Sequence, residues 1–486
     1  MTDTEKYKKL CRLFDKVLLS SCVTPEIISN TWLHMQRSHG DFSEKYSHLF
    51  ENELGVYFWK RMLILVVQYT SISVFRLLQS SIEFFQYREK KYSKNTDVLF
   101  VSHLINSETN NSNDMYYHDL PYQLTQQDIS TMIVLIDHNK TAKKVNNKSI
   151  VPRILLRKTL SFINELSLYF TQVKAVISYN KMALEFFINK RARLEASIRM
   201  MSSASFNSLR ISKQVSKIIS KVNPKYLVFT YEGHAWERLL CYEARQVDPD
   251  IKCFAYQHSS VFEYQHSIKR ELLPLYNPDV ILTSGLIAKE QFEVIFKNVI
   301  PIYNIGSSKS QELDSSKILL SKSCTFLVIP EGIISECILL FEFTLLCARS
   351  LPNYKFIWRL HPSLNFNQLK GKNNFFNSLP SNIFLSNKTL KRDIEICDNV
   401  IYRGSTAVIS AIGAGLRPIY YSKNGEISID PLFQQKNGKL TVSNVAEFEC
   451  LTQRPVIKKD QMELIKFSNA SYTPLNYSMF VSLLKK

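Results

Sequence analysis

Residues 400–421, VIYRGSTAVISAIGAGLRPIYY, decide the fold class of this chain. The apolar run Val400–Tyr402 predicts a buried strand, and Arg417–Tyr421 predicts the next one. Small and apolar residues from Ala407 to Ala414 predict a helix between these two strands. A strand, a helix and a second strand in this order form a βαβ unit, which is typical of parallel sheets covered by helices.

The turn inside this unit has the chemistry that an anion needs. Gly404 lets the backbone come close to a ligand, Ser405 and Thr406 offer hydroxyl groups, and Arg403 adds a positive charge. The alternative is that Ser405 only caps the helix and Gly404 only makes a turn. The turn is therefore a candidate phosphate site, and the choice depends on the other motifs of the chain.

The composition is that of a large globular protein with excess positive charge. The chain has 486 residues, 45% of them hydrophobic, and a formal net charge of +18. Such a charge predicts a negative partner: nucleic acid, an anionic membrane surface or a phosphorylated substrate. Because the chain has only 12 glycines and no Arg-Gly-rich or aromatic-basic segment, we expect no nucleic-acid partner.

Cysteines and apolar stretches bear on the compartment. Nine cysteines lie without any C-x-x-C pair, which predicts buried free thiols in a reducing compartment and no zinc site. Residues 1–9 lack the apolar core of a signal peptide, so no export signal is expected. Met62–Phe75 is uncharged for 14 residues, shorter than the roughly 20 that a membrane span needs, and predicts a buried helix.

Periodicity divides the chain into three regions. Residues 1–94 have helical spacing and predict an N-terminal helical region. Residues 95–310 alternate strands with helices and predict a Rossmann-like domain, which a basic helical insert interrupts at about 152–222. A polar linker at 307–322 precedes a second Rossmann-like domain at 311–486. The predicted fold class is α/β, with two doubly wound parallel-sheet domains facing a cleft and an N-terminal helical addition.

The basic insert has two interpretations. It carries lysines and arginines among apolar residues, namely Lys190, Arg191, Arg193, Arg199, Arg210, Lys213, Lys217 and Lys221. They form either a solvated helix face or a surface that meets anionic lipid or a lipid-linked pyrophosphate.

Four polar motifs follow predicted strands. They are TYEGHAWE at 230–237, QHS at 257–259, RLHP at 359–362 and RGST at 403–406. Ligands of doubly wound sheets bind beyond the carboxyl ends of the strands, so we expect these motifs to face one cleft.

Taken together, these motifs resemble those of bacterial GT-B glycosyltransferases that use CMP-activated sugars, the sialyl-, polysialyl- and Kdo-transferases of capsule and lipopolysaccharide synthesis. The resemblance rests on the acid before Gly233, on His361-Pro362 and on Ser405-Thr406, and it covers roughly residues 97–433. It implies a GT-B fold in which the first domain binds a saccharide or lipid-linked acceptor and the second binds the nucleotide-sugar donor. It also implies transfer of an acidic sugar such as Kdo or a sialic acid, in the cytoplasm or peripherally on the inner face of the cytoplasmic membrane.

The resemblance assigns roles to individual residues. Glu232 is the base that activates the acceptor hydroxyl, and His361 contacts the phosphate of the leaving CMP, which Ser405 and Thr406 also bind. Tyr231 stands where the sialyltransferase motif usually has a second acid. Glu237 is therefore a rival base.

Physical chemistry alone supports these roles. A cleft carboxylate can act as a base if burial lifts its pKa toward the working pH, and we expect this of Glu232. Preorganised hydroxyls and cations stabilise a leaving phosphate. We therefore add Arg359, Arg403 and Gly404 to His361, Ser405 and Thr406 as candidate phosphate-binding residues, and we expect His234, Glu237 and His258 to line the cleft.

Structural alternatives remain open for these positions: a first-turn carboxylate for Glu232, a turn histidine for His361 and a core ion pair for Arg359. No Asp-rich pair is evident, so we expect neither a metal nor a cofactor beyond the donor substrate. Two functional alternatives also stay open: a transferase of the same fold that uses a UDP-sugar or a CDP-polyol, and a non-catalytic module that binds nucleotide or glycan.

Overall fold

The structure is a computed structural model that describes residues 1–35, 42–51, 55–86, 95–104, 113–137, 150–186, 188–310, 324–362 and 364–485. Within these ranges the chain forms four N-terminal helices and two parallel sheets with their covering helices. The N-terminal helices are α1 (Asp3–Leu18), α2 (Pro25–Ile28), α3 (Phe42–Tyr46) and α4 (Val56–Gln86).

The first sheet and its helices follow. In chain order they are β1 (Val98–Leu104), α5 (Leu120–Thr125), β2 (Thr131–Asp137), β3 (Arg153–Leu155), α6 (Phe162–Glu185), α7 (Lys190–Met200), α8 (Ser203–Val222), β4 (Tyr226–Thr230), α9 (Ala235–Val247), β5 (Lys252–Gln257), α10 (His266–Lys269), β6 (Val280–Thr283), α11 (Leu286–Phe296) and β7 (Ile302–Asn304).

The second sheet and the C-terminal helices complete the chain. They are β8 (Thr325–Ile329), α12 (Ile334–Ser350), β9 (Lys355–Trp358), α13 (Phe366–Lys370), β10 (Ile383–Leu385), α14 (Leu390–Glu395), β11 (Asn399–Tyr402), α15 (Ala407–Gly413), β12 (Arg417–Tyr421), β13 (Leu440–Val442), α16 (Val445–Thr452), α17 (Lys458–Ser471) and α18 (Tyr477–Leu484).

Both sheets have the same doubly wound topology. The first has the order β3-β2-β1-β4-β5-β6-β7, and the second has the order β10-β9-β8-β11-β12-β13. Every strand pair is parallel. The strand order reverses between β1 and β4 in one sheet and between β8 and β11 in the other, and such switch points are where doubly wound sheets bind ligands. The predicted fold class is confirmed.

The N-terminal helices are fused to the first domain. Tyr7 and Phe14 of α1 belong to the same hydrophobic core as Tyr179 of α6. Asp15 of α1 also pairs with Arg270 of the first domain, with 2.6 Å between its Oδ1 and the arginine Nε. The helical region is therefore part of the wall of that domain.

The prediction that Met62–Phe75 is a buried helix is wrong. These residues lie in α4, where Leu63, Val67 and Phe75 are 64%, 58% and 63% exposed. By length and composition, α4 is the one helix among the described residues that is long and apolar enough to cross a membrane. An uncharged apolar run predicts that its side chains avoid water. It does not predict whether they pack inside the protein or against a separate apolar surface.

The last helix crosses back from the second domain to the first. Phe480 of α18 lies in the hydrophobic core of the first sheet, where its ring stacks on Phe100 of β1. The hydroxyl of Tyr226 on β4 donates a hydrogen bond to the carbonyl of Leu484. This differs from the predicted second domain, which runs to residue 486. The predicted linker, 307–322, lies mostly outside the described residues.

Two cations of the basic insert have structural roles. Arg210 is buried and pairs with Glu165 of α6 at 2.8 Å, and Arg191 is buried and pairs with Glu51 at 2.8 Å. For these two residues the structure favours ion pairing within the fold over contact with lipid.

Candidate active site

A cavity of about 840 Å³ lies where the two sheets and the N-terminal helices meet. The first domain contributes Glu232, His234, Ser259, Phe262 and Gln265, and the second contributes Glu331, Gly332, His361, Gly404, Ser405 and Thr406. The strand ends of both switch points, after β4 in one sheet and after β8 and β11 in the other, therefore open into one space. Its size is in the range of ligand-binding cavities.

The turn after β4 is built around Gly233. Its φ of +83° favours glycine, and an added Cβ would lie 2.4 Å from the backbone nitrogen of Ile268. Glu237, 1% exposed, accepts hydrogen bonds from the backbone N–H groups of Glu232, Gly233 and His234 at 2.7–3.0 Å. Glu237 thus holds the turn and does not line the cavity, contrary to the prediction.

Glu232 is the centre of a polar network in the cavity wall. Its Oε2 lies 3.1 Å from Nε2 of His234, and its Oε1 accepts a hydrogen bond of 2.7 Å from the hydroxyl of Ser259. The same oxygen lies 3.5 Å from Nε2 of His258. About a third of the side chains of Glu232 and His234 remains exposed, which leaves both available to a ligand.

Electrostatics change the expected state of Glu232. Burial raises its pKa, but the hydrogen bonds from His234 and Ser259 and the charge of His234 outweigh burial, and the net pKa lies well below its ordinary value. Burial opposes the charge of His234, yet the carboxylates of Glu232 and Glu237 raise its pKa to about 9. The expected upward shift of the Glu232 pKa is therefore wrong, because an adjacent imidazolium stabilises the carboxylate.

His258 stands behind Glu232 and is not a lining residue of the cavity. Its ring meets Tyr116 edge to face, with 4.6 Å between ring centroids. Burial lowers the pKa of His258 to about 4, so the ring is neutral near pH 7. This residue supports Glu232 from the protein side.

The opposite wall brings together the ends of β8, β9 and β11. An added Cβ on Gly332 would lie 2.9 Å from Nδ1 of His361, and one on Gly404 would lie 2.7 Å from Oε1 of Glu331. The two glycines therefore let the imidazole and the carboxylate lie close to the backbone. Burial lowers the pKa of His361, which makes it a neutral imidazole near pH 7.

Ser405 and Thr406 lie at the start of α15 and line the same wall. Thr406 is the N-cap residue, but its side chain makes no capping hydrogen bond. The N-cap position is thus held by Thr406 and not by Ser405, which the alternative that Ser405 only caps the helix would require.

Arg403 and Arg359 do not line the cavity. Arg403 is 1% exposed, and its guanidinium bonds to the carboxylates of Glu336 and Glu426 and to the carbonyl of Tyr421. Arg359 pairs with Asp393 at 2.9 Å. Their expected roles in phosphate binding are corrected to structural ones, since acidic side chains within the fold already occupy both guanidinium groups.

Two parts of the site were not predicted from the sequence. Glu331 follows β8 in the sequence Pro330-Glu331-Gly332, the same acid-glycine pair that singled out Glu232. Tyr7 of α1 and Tyr69 of α4 also line the cavity, although the N-terminal helices show no motif. Within the described parts of the chain, no group of three or more potential metal ligands is present, and metal independence stays a prediction.

The chain was compared with protein families, curated proteins and solved structures. No protein-family model and no curated protein matches the chain. Among solved structures, the calicheamicin glycosyltransferase CalG4 aligns with a TM-score of 0.48 at 9% identity, over 81% of this chain and 98% of that one. The UDP-GlcNAc 2-epimerase from Methanocaldococcus jannaschii aligns with a TM-score of 0.48 at 11% identity, over 80% and 99%. Scores and identities at this level identify neither a reaction nor a substrate for this chain.

Proposed function

We propose that this protein is a glycosyltransferase of the GT-B type, which moves a sugar from a nucleotide-linked donor to an acceptor hydroxyl. The observation that carries the proposal is that Glu232, which follows β4 of the first sheet, and His361, which follows β9 of the second, line one cavity. A carboxylate on one wall and an imidazole with two hydroxyls on the other are the groups that such a transfer needs.

The geometry suggests a simple sequence of events. Ionised Glu232 accepts the proton of the acceptor hydroxyl as its oxygen bonds to the anomeric carbon of the donor. The bond from that carbon to the phosphate oxygen breaks, and the nucleotide leaves with the bonding electrons. The amides at the start of α15, the Ser405 and Thr406 hydroxyls and His361 donate hydrogen bonds to the phosphate and stabilise its charge.

The finer proposal concerns the donor, which we propose is a CMP-linked acidic sugar. A pKa of about 9 keeps His234 positively charged near pH 7, and Lys45 and Arg199 also line the cavity, although Arg199 is paired with Glu195 at 2.6 Å. These cations suit a sugar carboxylate in addition to the phosphate. A UDP-sugar or a CDP-polyol would use the same phosphate site, so a nucleotide panel must separate the donors.

The acceptor would enter from the first domain and the N-terminal helices. Tyr7, Trp32, Phe42 and Tyr46 form an aromatic side of the cavity. Aromatic side chains stack on sugar rings and on other apolar surfaces, so this side suits a saccharide or a lipid-linked saccharide. A role in bacterial surface polysaccharide synthesis, at the inner face of the cytoplasmic membrane, is part of this proposal.

A thermal-shift panel of CMP, CDP, UDP and AMP tests the proposal. A ligand that binds only the folded state raises the melting temperature with concentration. A rise in melting temperature that is selective for CMP or CDP supports the proposed CMP-linked donor. A larger rise with UDP would indicate a UDP-sugar donor instead. No shift with any nucleotide overturns the proposal. If Glu232→Ala and His361→Ala keep both the nucleotide shift and the glycan product in cells, the protein is a binding module.

A further inference from the structure

We propose that the exposed apolar face of α4 and α6 binds the surface of an anionic lipid bilayer and brings the cavity to that surface. The inference deepens the proposed function, since it rests on that function for the role of the cavity. Binding to lipid itself is independent of transfer. Both helices lie outside the motifs described above.

The face on α4 lies opposite its protein-facing side. At about 100° per residue, Val67, Val74, Phe75, Leu78 and Ile82 point away from the side that carries the buried residues. They are 51–63% exposed. The buried side of the same helix includes Phe58, Met62 and Ser80. A folded protein rarely leaves so many large apolar side chains of one helix in water.

A second apolar stripe lies on the neighbouring helix α6. Ile163, Phe170, Ile177 and Leu184 recur every seven residues and are 56–77% exposed. Residues seven apart lie on one side of a helix, so the stripe runs along most of α6. α4 and α6 are in contact, and we call the exposed apolar residues of the two helices together the apolar face.

An apolar groove between the two helices leads toward the cavity. The groove has a volume of about 300 Å³, and its lining includes Val66 and Tyr69 of α4 and Val173 and Val176 of α6. Tyr69 also lines the large cavity. A single side chain therefore borders both spaces, and a hydrocarbon chain in the groove would place its polar head beside the cavity.

The charge around the apolar face favours an anionic membrane over a second copy of the chain. Lys174 and Lys181 are exposed on α6 beside the apolar stripe. Lys60 is exposed near the start of α4. Basic residues that flank exposed apolar residues are typical of interfacial helices. A second copy would present the same positive charge and would be repelled.

The packing of α4 favours a position along the membrane surface over a span. The helix contacts α6, α7 and α8, and its Gln68, Tyr69 and Ile72 form part of the cavity wall. Insertion across a bilayer would pull these side chains out of the wall. Among the residues that the structure describes, the exposed apolar residues of α4 lie on the side away from these contacts, and that side suits partial immersion.

Vesicle sedimentation tests the inference with two matched triple variants. Val67→Glu, Phe75→Glu and Leu78→Glu together change the apolar face. Val294→Glu, Phe375→Glu and Ile457→Glu change residues of similar type and exposure elsewhere, at 76%, 59% and 60%. Both variants change the net charge equally. Neither variant replaces a residue that lines the cavity or the groove.

We expect wild type and the control to bind vesicles of phosphatidylglycerol and phosphatidylcholine, and the face variant to bind at least tenfold more weakly. Vesicles of phosphatidylcholine alone should bind weakly. Equal binding of both variants, or no binding of wild type, overturns the inference. The inference is also overturned if wild type is a dimer that the face variant alone abolishes, because the face would then bind a second copy. It is overturned as well if the bound protein resists extraction at high pH, because that result indicates a membrane span.

Circular dichroism and the nucleotide-induced thermal shift establish that the face variant is folded. If the face variant loses vesicle binding but keeps the nucleotide-induced thermal shift, the membrane inference is supported independently of the transferase proposal. If vesicle binding is intact and no nucleotide binds, the transferase proposal fails and membrane binding stands.

Discussion

Oε2 of Glu232 lies 3.1 Å from Nε2 of His234, and the two side chains meet at the wall of the cavity. A glycine at the intervening position turns the backbone so that the side chains meet. The pair is therefore a carboxylate and an imidazolium near pH 7. Burial alone would raise the pKa of Glu232 and favour its protonated form, whereas the adjacent imidazolium keeps it ionised. Glu232 is therefore ionised near pH 7, and His234, which supplies the balancing charge, also lowers the proton affinity of the carboxylate.

Replacement of Glu232 by Gln removes the base without changing the shape of the side chain. We expect the rate of transfer to fall by about 10²–10⁴-fold, which is the usual contribution of a general base. Nucleotide binding should be unchanged within twofold. The measurement is the initial rate of nucleotide release from the donor in the presence of acceptor membranes.

Glu290→Gln, an exposed carboxylate on α11, is the control for this change and should keep the wild-type rate. A Glu232→Gln protein with more than a tenth of the wild-type rate would show that another group takes the proton.

The ion pair should make stability depend on pH in a defined direction. The folded-state pKa of His234 is about 9, above its ordinary value of 6.5, so its contribution is fully present below pH 6.5 and is lost as pH rises through 9. We expect His234→Gln to lower the free energy of unfolding by about 1–2 kcal/mol at pH 6, after allowance for solvent screening of the partly exposed pair.

Urea unfolding of wild type and His234→Gln at pH 6, 8 and 9.5 measures this dependence. The difference between the two proteins should shrink steadily over that series. A difference that is constant with pH, or that grows toward pH 9.5, would mean that His234 is not the charged partner of Glu232.

Arg403 should matter for stability and not for ligand contact. Its removal leaves the buried carboxylate of Glu336 without a cation, whereas Glu426 keeps Lys423 at 3.2 Å, and breaking a buried pair in this way typically lowers stability by about 3–5 kcal/mol. We expect Arg403→Leu to lower the urea midpoint accordingly. If the variant keeps wild-type stability but loses nucleotide binding, the guanidinium contacts phosphate after all.

Gly233 should be the more sensitive of two glycines with the same backbone conformation. Gly233 and Gly425 both have φ of +83°, but only at Gly233 would a Cβ meet backbone atoms. We expect Gly425→Ala to lower the free energy of unfolding by about 1 kcal/mol and Gly233→Ala by at least about 2 kcal/mol more. Equal losses in urea unfolding would show that the turn after β4 yields easily.

The hydroxyls at the start of α15 should contribute to nucleotide affinity. Loss of one hydrogen bond to a charged group weakens binding by about 1.5–3 kcal/mol, or at least tenfold. Ser405→Ala should show this in calorimetric titration with the nucleotide that the thermal panel selects. Ser410→Ala, on the same helix but outside the cavity lining, should bind like wild type, and equal affinity of all three proteins would exclude a role for Ser405.

Local sequence predicted the sheets well because parallel strands buried on both faces are continuous apolar runs. Val98–Leu104 and Thr325–Ile329 are such runs, whereas the edge strands β3 and β13 have three residues each and give little signal. The strand-end motifs placed Glu232, His361, Ser405 and Thr406 at a shared cavity for the same reason, since parallel topology collects carboxyl ends at one edge.

Long-range partners explain what could not be predicted. Glu336, whose carboxylate accepts a hydrogen bond from Arg403, lies 67 residues earlier in the chain. The sequence around Arg403 therefore does not predict this ion pair. Likewise, the low pKa of Glu232 depends on three side chains meeting around one carboxylate. Composition also could not separate a buried apolar helix from an exposed one, so the exposure of α4 emerged only from packing.

A crystal structure of the protein soaked with CMP tests the central claim most directly. We predict that the CMP phosphate lies within hydrogen-bonding distance of His361 and of the Ser405 and Thr406 hydroxyls. The phosphate oxygen that carries the sugar in the donor should point toward Glu232. A phosphate bound instead by Lys45 and Arg199 in the N-terminal wall, or CMP bound outside the cavity, would contradict the account.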